Sequence, residues 1–242
     1  MLKKLVLVIA GLLVVLTLVL IGWYQVDGQP LPEARAYLTG EGYAARENPD
    51  GSLVFTPANP SGHGLLIMHG ALIKPLAYAN TAAYFAARGF IVFVPSGKLR
   101  LSILAVDSVA ARLADFGVRD WYFIGHSMGG LSTLEVLARH PSGVKAIALW
   151  AAAMPKDFSG VTVPMLVLHG DHDGLLPPER FADAQANLPA TATYVNVAGG
   201  NHKNFALYSH QFFDAPALIG GQQQIDFANR ETAAFFAAHP AL

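Results

Sequence analysis

The chain has 242 residues, of which 53% are hydrophobic and 14% charged, and its 16 basic residues nearly balance 17 acidic ones. Disorder requires few apolar residues and high net charge, so it is excluded, and a near-neutral chain has no electrostatic footprint for nucleic acid. With no cysteine, disulfides, thiolate metal sites and cysteine nucleophiles are all ruled out.

Residues 5–26 hold no charged side chain, and residues 5–21 are almost wholly Leu, Val and Ile. As a helix, residues 5–24 would span roughly 30 Å, the thickness of a bilayer's hydrocarbon core. Lys3 and Lys4 precede the run, and Trp23 and Tyr24 follow it at the depth amphipathic aromatics favour. A signal anchor over residues 1–26 is expected, contacting the membrane through this one helix. The positive-inside rule then puts the remainder of the chain outside the cytoplasm. The rival is a cleaved signal peptide, which would release the protein as a secreted one. Such a cleavage site needs small residues at alternate positions, and Gly22-Trp23-Tyr24-Gln25-Val26-Asp27 offers no such pair. Residues 27–40, with Pro30 and Pro32, read as a linker, and residues 41–242 as one domain.

In that domain, short β-branched and aromatic runs alternate with longer Ala-rich ones. Strands are expected at 53–56, 65–68, 90–94, 121–124, 144–150, 165–168 and 193–197, and helices at 77–88, 103–116, 131–140 and 222–237. Asn48-Pro49-Asp50-Gly51 is a turn signal closing an antiparallel opening hairpin. Strands of four to seven residues with little polar alternation suit burial on both faces, which predicts an α/β fold with a mostly parallel sheet flanked by helices.

Gly125-His126-Ser127-Met128-Gly129-Gly130 stands between the strand at 121–124 and the helix at 131–140. In this setting G-x-S-x-G is a nucleophile elbow: a serine on a sharp strand-to-helix turn, with glycines where a Cβ would crowd the backbone. A serine hydroxyl needs a base, and the base needs an orienting carboxylate. Both are expected in loops after later strands, acid before histidine. The strand at 165–168 runs into His169-Gly170-Asp171-His172-Asp173, and the strand at 193–197 into Gly199-Gly200-Asn201-His202.

Among nine histidines, His202 alone lies in a loop after the last strand and is the expected base. His126 is adjacent to the serine, but neighbouring side chains on a turn diverge, so packing is its expected role. His69 and His169 end strands, while His63, His140, His210 and His239 read as surface or loop residues. Asp173 is preferred as acid because it lies farther into its loop. Asp171 is its alternative, expected to make local Asx-type bonds that hold the turn. His169, Asp171, His172 and Asp173 also admit a metal-ligand reading. No second histidine-rich motif accompanies them, and the triad explains the loop with neither metal nor cofactor. For the oxyanion, the Met128 N–H is one donor. The second is expected from the loop after 65–68, where the Ala71 N–H is the first choice and that of Leu72 the fallback.

On these residues the sequence resembles the α/β-hydrolase superfamily over roughly residues 50–240. Residues 69–78, the elbow, and Gly199-Gly200-Asn201-His202 with Phe205 and Tyr208 are similar to compact dienelactone-hydrolase-like esterases. The resemblance implies Ser127, Asp173 and His202 as triad and Ala71 and Met128 as oxyanion donors. Dienelactone hydrolases use a cysteine nucleophile, so only the fold and serine chemistry carry over. The stretch 151–162 is too short for a helical lid, which implies an open site shaped by short loops and by 205–221, without interfacial activation. The expected function is a membrane-anchored carboxylesterase acting on a small acyl substrate. Its rivals are amide, thioester, acyl-transfer or cofactor-free perhydrolase chemistry on the same triad, and an idle hydrolase fold serving as a binding protein.

Overall fold

A computed structural model describes residues 2–140 and 142–240. After the N-terminal helix α1 (Leu2–Val26), strands β1 (Tyr43–Glu47) and β2 (Leu53–Pro57) form the antiparallel hairpin expected around Asn48–Gly51. Six further strands follow: β3 (His63–Met68), β4 (Ile91–Val94), β5 (Asp120–His126), β6 (Val144–Trp150), β7 (Met165–Gly170) and β8 (Thr193–Val197). They join in one eight-stranded sheet of order β1-β2-β4-β3-β5-β6-β7-β8, parallel from β4 to β8.

Strands β3 to β7 read as buried because both faces are covered, whereas β8, at the edge of the sheet, is mostly exposed. On β5, Tyr122 and Ile124 point into a core shared with α2 (Ala79–Ala86) and α6 (Gly221–Ala237), where Phe85, Ile225 and Phe236 pack. Trp121 and Phe123 point into the opposite core, against Val109 of α3 (Val106–Arg112) and Leu134 and Leu137 of α4 (Met128–Arg139). Each large apolar side chain so buried contributes about 1.5–3 kcal/mol. The alternation therefore fixes the register, since a one-residue slip would exchange the two cores.

The expected strands all form, but four other expectations need correction. The helix at 103–116 is helical throughout yet divided, with 3-10 turns at Ser102–Ala105 and Leu113–Phe116 flanking α3. A short helix, α5 (Pro178–Gln185), lies where none was expected. Its signals were Pro178 at the first helical position and Glu179 in the first turn, but too few apolar positions gave it a periodicity.

The third correction concerns 27–40, which do not run free as a linker. Pro32–Leu38 is a 3-10 helix with Ala34 fully buried in the core. Leu31 N–H donates to the Leu207 carbonyl at 3.0 Å and Ser209 N–H to that of Gln29 at 2.8 Å. His63, expected at the surface, opens β3 half-buried, with its ring edge-on to Tyr122 at 5.8 Å. By contrast Leu12 to Leu16 of α1 are exposed. This helix is long and apolar enough to cross a membrane.

Candidate active site

At the carboxyl edge of the parallel strands, β5 turns into α4 through Ser127, whose φ of 55° and ψ of −124° lie outside helix and strand. A non-glycine residue is costly in this conformation and persists because its neighbours hold it. Ser127 N–H donates to the Trp150 carbonyl at 2.9 Å, and the Ser127 carbonyl accepts from Gly130 N–H at 2.9 Å. The flanking glycines are steric necessities. A Cβ on Gly129 would strike the Met68 carbonyl, and one on Gly125 the Gly129 carbonyl and the Thr133 hydroxyl.

The structure brings Ser127, His202 and Asp173 into one line. His202 Nε2 lies 2.8 Å from Ser127 Oγ, and His202 Nδ1 lies 2.8 Å from Asp173 Oδ2. Asp173 and His202 are buried, so the pair interacts with little competition from water. With Nδ1–H donated to the carboxylate, Nε2 is free to accept the serine proton. The other carboxylate oxygen of Asp173 accepts N–H from Leu175 at 2.9 Å and Leu176 at 2.7 Å. The Asx-type bonding expected of Asp171 therefore belongs to Asp173. Asp171 is exposed and reaches past the end of β8, accepting Gly199 N–H at 2.7 Å.

His169, Asp171, His172 and Asp173, at and after the end of β7, do not converge on a common point. His169 donates from Nε2 to the Leu176 carbonyl at 2.7 Å while stacking on Phe181 at 4.0 Å, and the two aspartates face different partners. Among the described residues no group of three or more such side chains is placed to hold a metal ion.

The loop after β3 packs on the elbow: a Cβ on Gly70 would stand 3.4 Å from that of Ser127. Leu72 N–H is spent on the Arg100 carbonyl at 2.7 Å, which removes the fallback oxyanion donor. Neither Ala71 nor Met128 donates its N–H to another group among the described residues, so both remain free for a ligand.

Sequence reasoning gave His126 a packing role and passed over its hydrogen bonds. Gly70 N–H donates to Tyr78 Oη at 2.9 Å, Tyr78 O–H to His126 Nδ1 at 2.7 Å, and His126 Nε2–H to the His202 carbonyl at 3.0 Å. Burial holds the His126 imidazole neutral by pushing its pKa well below the usual value, as the chain of bonds requires. His69, also buried, is lowered to about 4, donating to the Gly70 carbonyl at 2.8 Å and accepting Gly97 N–H at 3.2 Å. Asp214 was missed as well. Its carboxylate accepts N–H from Gly174 at 3.0 Å, His202 at 3.3 Å and Lys203 at 2.7 Å, tying the loop of Asp173 to that of His202. The segment 205–221 thus braces the loops that carry Asp173 and His202 without lining the cavity beside them, whereas shaping of the site was expected.

Ser127 and His202 open on a cavity of about 610 Å³ walled by Met128, Leu131, Met154 and Leu176, with Arg180 and Asn187 from the α5 region also lining it. The loop 151–164 carries no helix and forms one wall.

A model of the alpha/beta hydrolase family matches residues 64–226. A bis(hydroxyethyl) terephthalate hydrolase of Streptomyces coelicolor is 29% identical over 145 residues, covering 52% of this chain and 47% of that protein. Cutinase 1 of Thermobifida cellulosilytica is 35% identical over 82 residues, covering 33% of this chain and 31% of the cutinase. The chain thus spans about half or less of the length of these curated relatives. A CIB-like hydrolase from Thermoplasma acidophilum superposes with a TM-score of 0.59 at 17% identity, covering 80% of this chain and 98% of that one, a likeness of fold.

Proposed function

From the premise that the chain belongs to the α/β-hydrolase family, we propose that it is a serine carboxylesterase held to a membrane by α1. The observation that carries this reading is the 2.8 Å and 2.8 Å line from Ser127 through His202 to Asp173, aimed at an apolar cavity. Ser127 Oγ attacks the acyl carbon as His202 Nε2 takes its proton, and Asp173 holds the imidazole and offsets its charge. The tetrahedral oxyanion is met by the N–H groups of Ala71 and Met128, each worth about 2.7–4 kcal/mol in comparable sites. His202 returns the proton to the leaving alcohol, and water then cleaves the acyl-enzyme by the reverse relay. The terephthalate hydrolase and cutinases among its relatives support ester substrates, and the cavity lining favours an apolar acyl group.

Residues 1–26 serve as anchor in this reading, and Lys3 and Lys4 favour a hydrolase domain outside the cytoplasm. Ser127→Ala should abolish hydrolysis of p-nitrophenyl butyrate and labelling by a fluorophosphonate while leaving thermal unfolding unchanged. Turnover at the parental rate in that variant would overturn the assignment. Intact mass of the membrane-extracted protein tests the anchor, since a signal peptide would be missing.

A further inference from the structure

The end of α1 is clasped by the hydrolase domain. Asp27, 2% exposed, accepts Trp23 Nε1–H at 3.0 Å and Phe212 N–H at 3.3 Å, and its backbone carbonyl accepts from Arg100 Nη1 at 3.0 Å. Phe212 meets Trp23 edge to face at 5.8 Å, and the Arg100 guanidinium lies over the Tyr24 ring at 3.6 Å. Trp23 and Tyr24 are consecutive, hence about 100° apart around the helix, so the clasp grips two sides. It lies on the same edge of the sheet as the site, since Lys74 N–H, in the loop after β3, donates to the Gly28 carbonyl at 3.1 Å.

Beside each of these contacts stands an exposed apolar residue in left-handed backbone. Phe213, next to Phe212, has φ 69° and is 84% exposed; Leu99, next to Arg100, has φ 54° and is 67% exposed. Scattered apolar exposure is ordinary. Strained backbone that presents a large apolar side chain to solvent, twice, at the exit of a membrane-length helix, is not.

We propose that Phe213 and Leu99 seat in the bilayer interface beside α1, fixing the domain on the lipid surface, and that the substrate is an acyl ester carried in that bilayer. The proposal rests on the anchored-esterase reading and deepens it. Asp214, the residue after Phe213, holds the N–H groups of Gly174 and His202. The seated loop therefore adjoins the cavity, which Leu175 and His202 line. With no helix in 151–164 to move as a lid, seating governs encounter with substrate and leaves the chemical step alone.

Because the chain lacks cysteine, Phe213→Cys offers a single attachment point for the environment-sensitive fluorophore NBD. The full chain would be reconstituted in phosphatidylcholine vesicles with brominated acyl chains, with Asn59→Cys, just ahead of β3 at the opposite edge of the sheet, as control. Quenching at 213 and none at 59 is expected. Phe213→Ser should raise the KM for a vesicle-borne long-chain ester at least fivefold with kcat unchanged, and leave a water-soluble short-chain ester within twofold. A label at 213 that stays unquenched on vesicle-bound protein overturns the seating alone. One shielded from water yet unquenched by bromine points to a protein contact, such as a second copy, and likewise overturns it. Protein that fails to float with the vesicles overturns anchor and seating together. Quenching without hydrolysis of the soluble ester would instead overturn the esterase reading, and with it the substrate class.

Discussion

The His202 carbonyl is held at 3.0 Å by Nε2–H of His126, so the histidine facing Ser127 is fixed through its backbone by the residue preceding that serine. Through Tyr78 the same chain of bonds continues to Gly70 N–H, one residue before the proposed oxyanion donor Ala71. The loops of His202 and Gly70, remote in sequence, are thereby set against each other by buried polar groups that are satisfied only together.

Tyr78→Phe should disturb both ends of this chain. It leaves Gly70 N–H and His126 Nδ1 without partners in the core, each costing about 1–3 kcal/mol. The expected result is a Tm lower by several degrees and a kcat lower by tenfold or more on a short p-nitrophenyl ester, with KM little changed. Thermal unfolding and steady-state kinetics would check both, and a variant with unaltered kcat would show that the chain serves stability alone.

The two aspartates after β7 should separate cleanly. Asp173→Asn keeps the shape but favours the wrong imidazole tautomer, which in a comparable triad costs about 10⁴-fold in kcat. Asp171→Asn alters an exposed bond to Gly199 and should stay within tenfold of the parent. Esterase assays of the two variants side by side decide the assignment, and a reversed order of effects would exchange their roles.

Much of this was legible in the sequence because it depends on local rules. The elbow is written in Gly125, Ser127 and Gly129 since only glycine fits against the Met68 and Gly129 carbonyls. The paired cores are written in the uninterrupted apolar strands. Asp214 and Tyr78 escaped because the groups they join are remote in sequence: Tyr78 links Gly70 to His126 at the end of β5. Asp214 serves Gly174 and His202, and no spacing rule connects those positions. The docking of 27–40 escaped because two prolines and few apolar residues look the same whether a segment is free or pinned through Leu31 and Ala34.

Stability should fall on mild acidification. His69 is buried with its pKa lowered to about 4, against an ordinary value of 6.5, and burial also lowers that of His126. Above pH 6.5 both imidazoles are neutral folded or unfolded, so their neutral-state packing is fully available. As the pH falls from about 6.5 toward about 4, the unfolded chain takes up protons that the folded chain refuses, costing up to about 1.4 kcal/mol per pH unit for each histidine. Urea unfolding at stepped pH should show this decline. His69→Gln and His126→Gln would each flatten the slope by one proton, and parallel slopes in parent and variants would contradict it.

Ala153 offers a direct test of the cavity as the acyl site. It is exposed on the wall formed by the loop after β6, facing the same space as Ser127, Met154 and Leu176. A phenylalanine there has solvent to extend into as well as cavity, so folding should be spared, as for most surface substitutions. The ring would occupy part of the roughly 610 Å³ that an extended acyl chain needs, while a two-carbon acyl group requires only the region next to Ser127. For Ala153→Phe, kcat/KM on p-nitrophenyl octanoate should drop at least tenfold, with acetate within threefold of the parent. An equal loss on both esters would mean that the change disturbed the triad, and no loss on either would place the acyl chain on another surface.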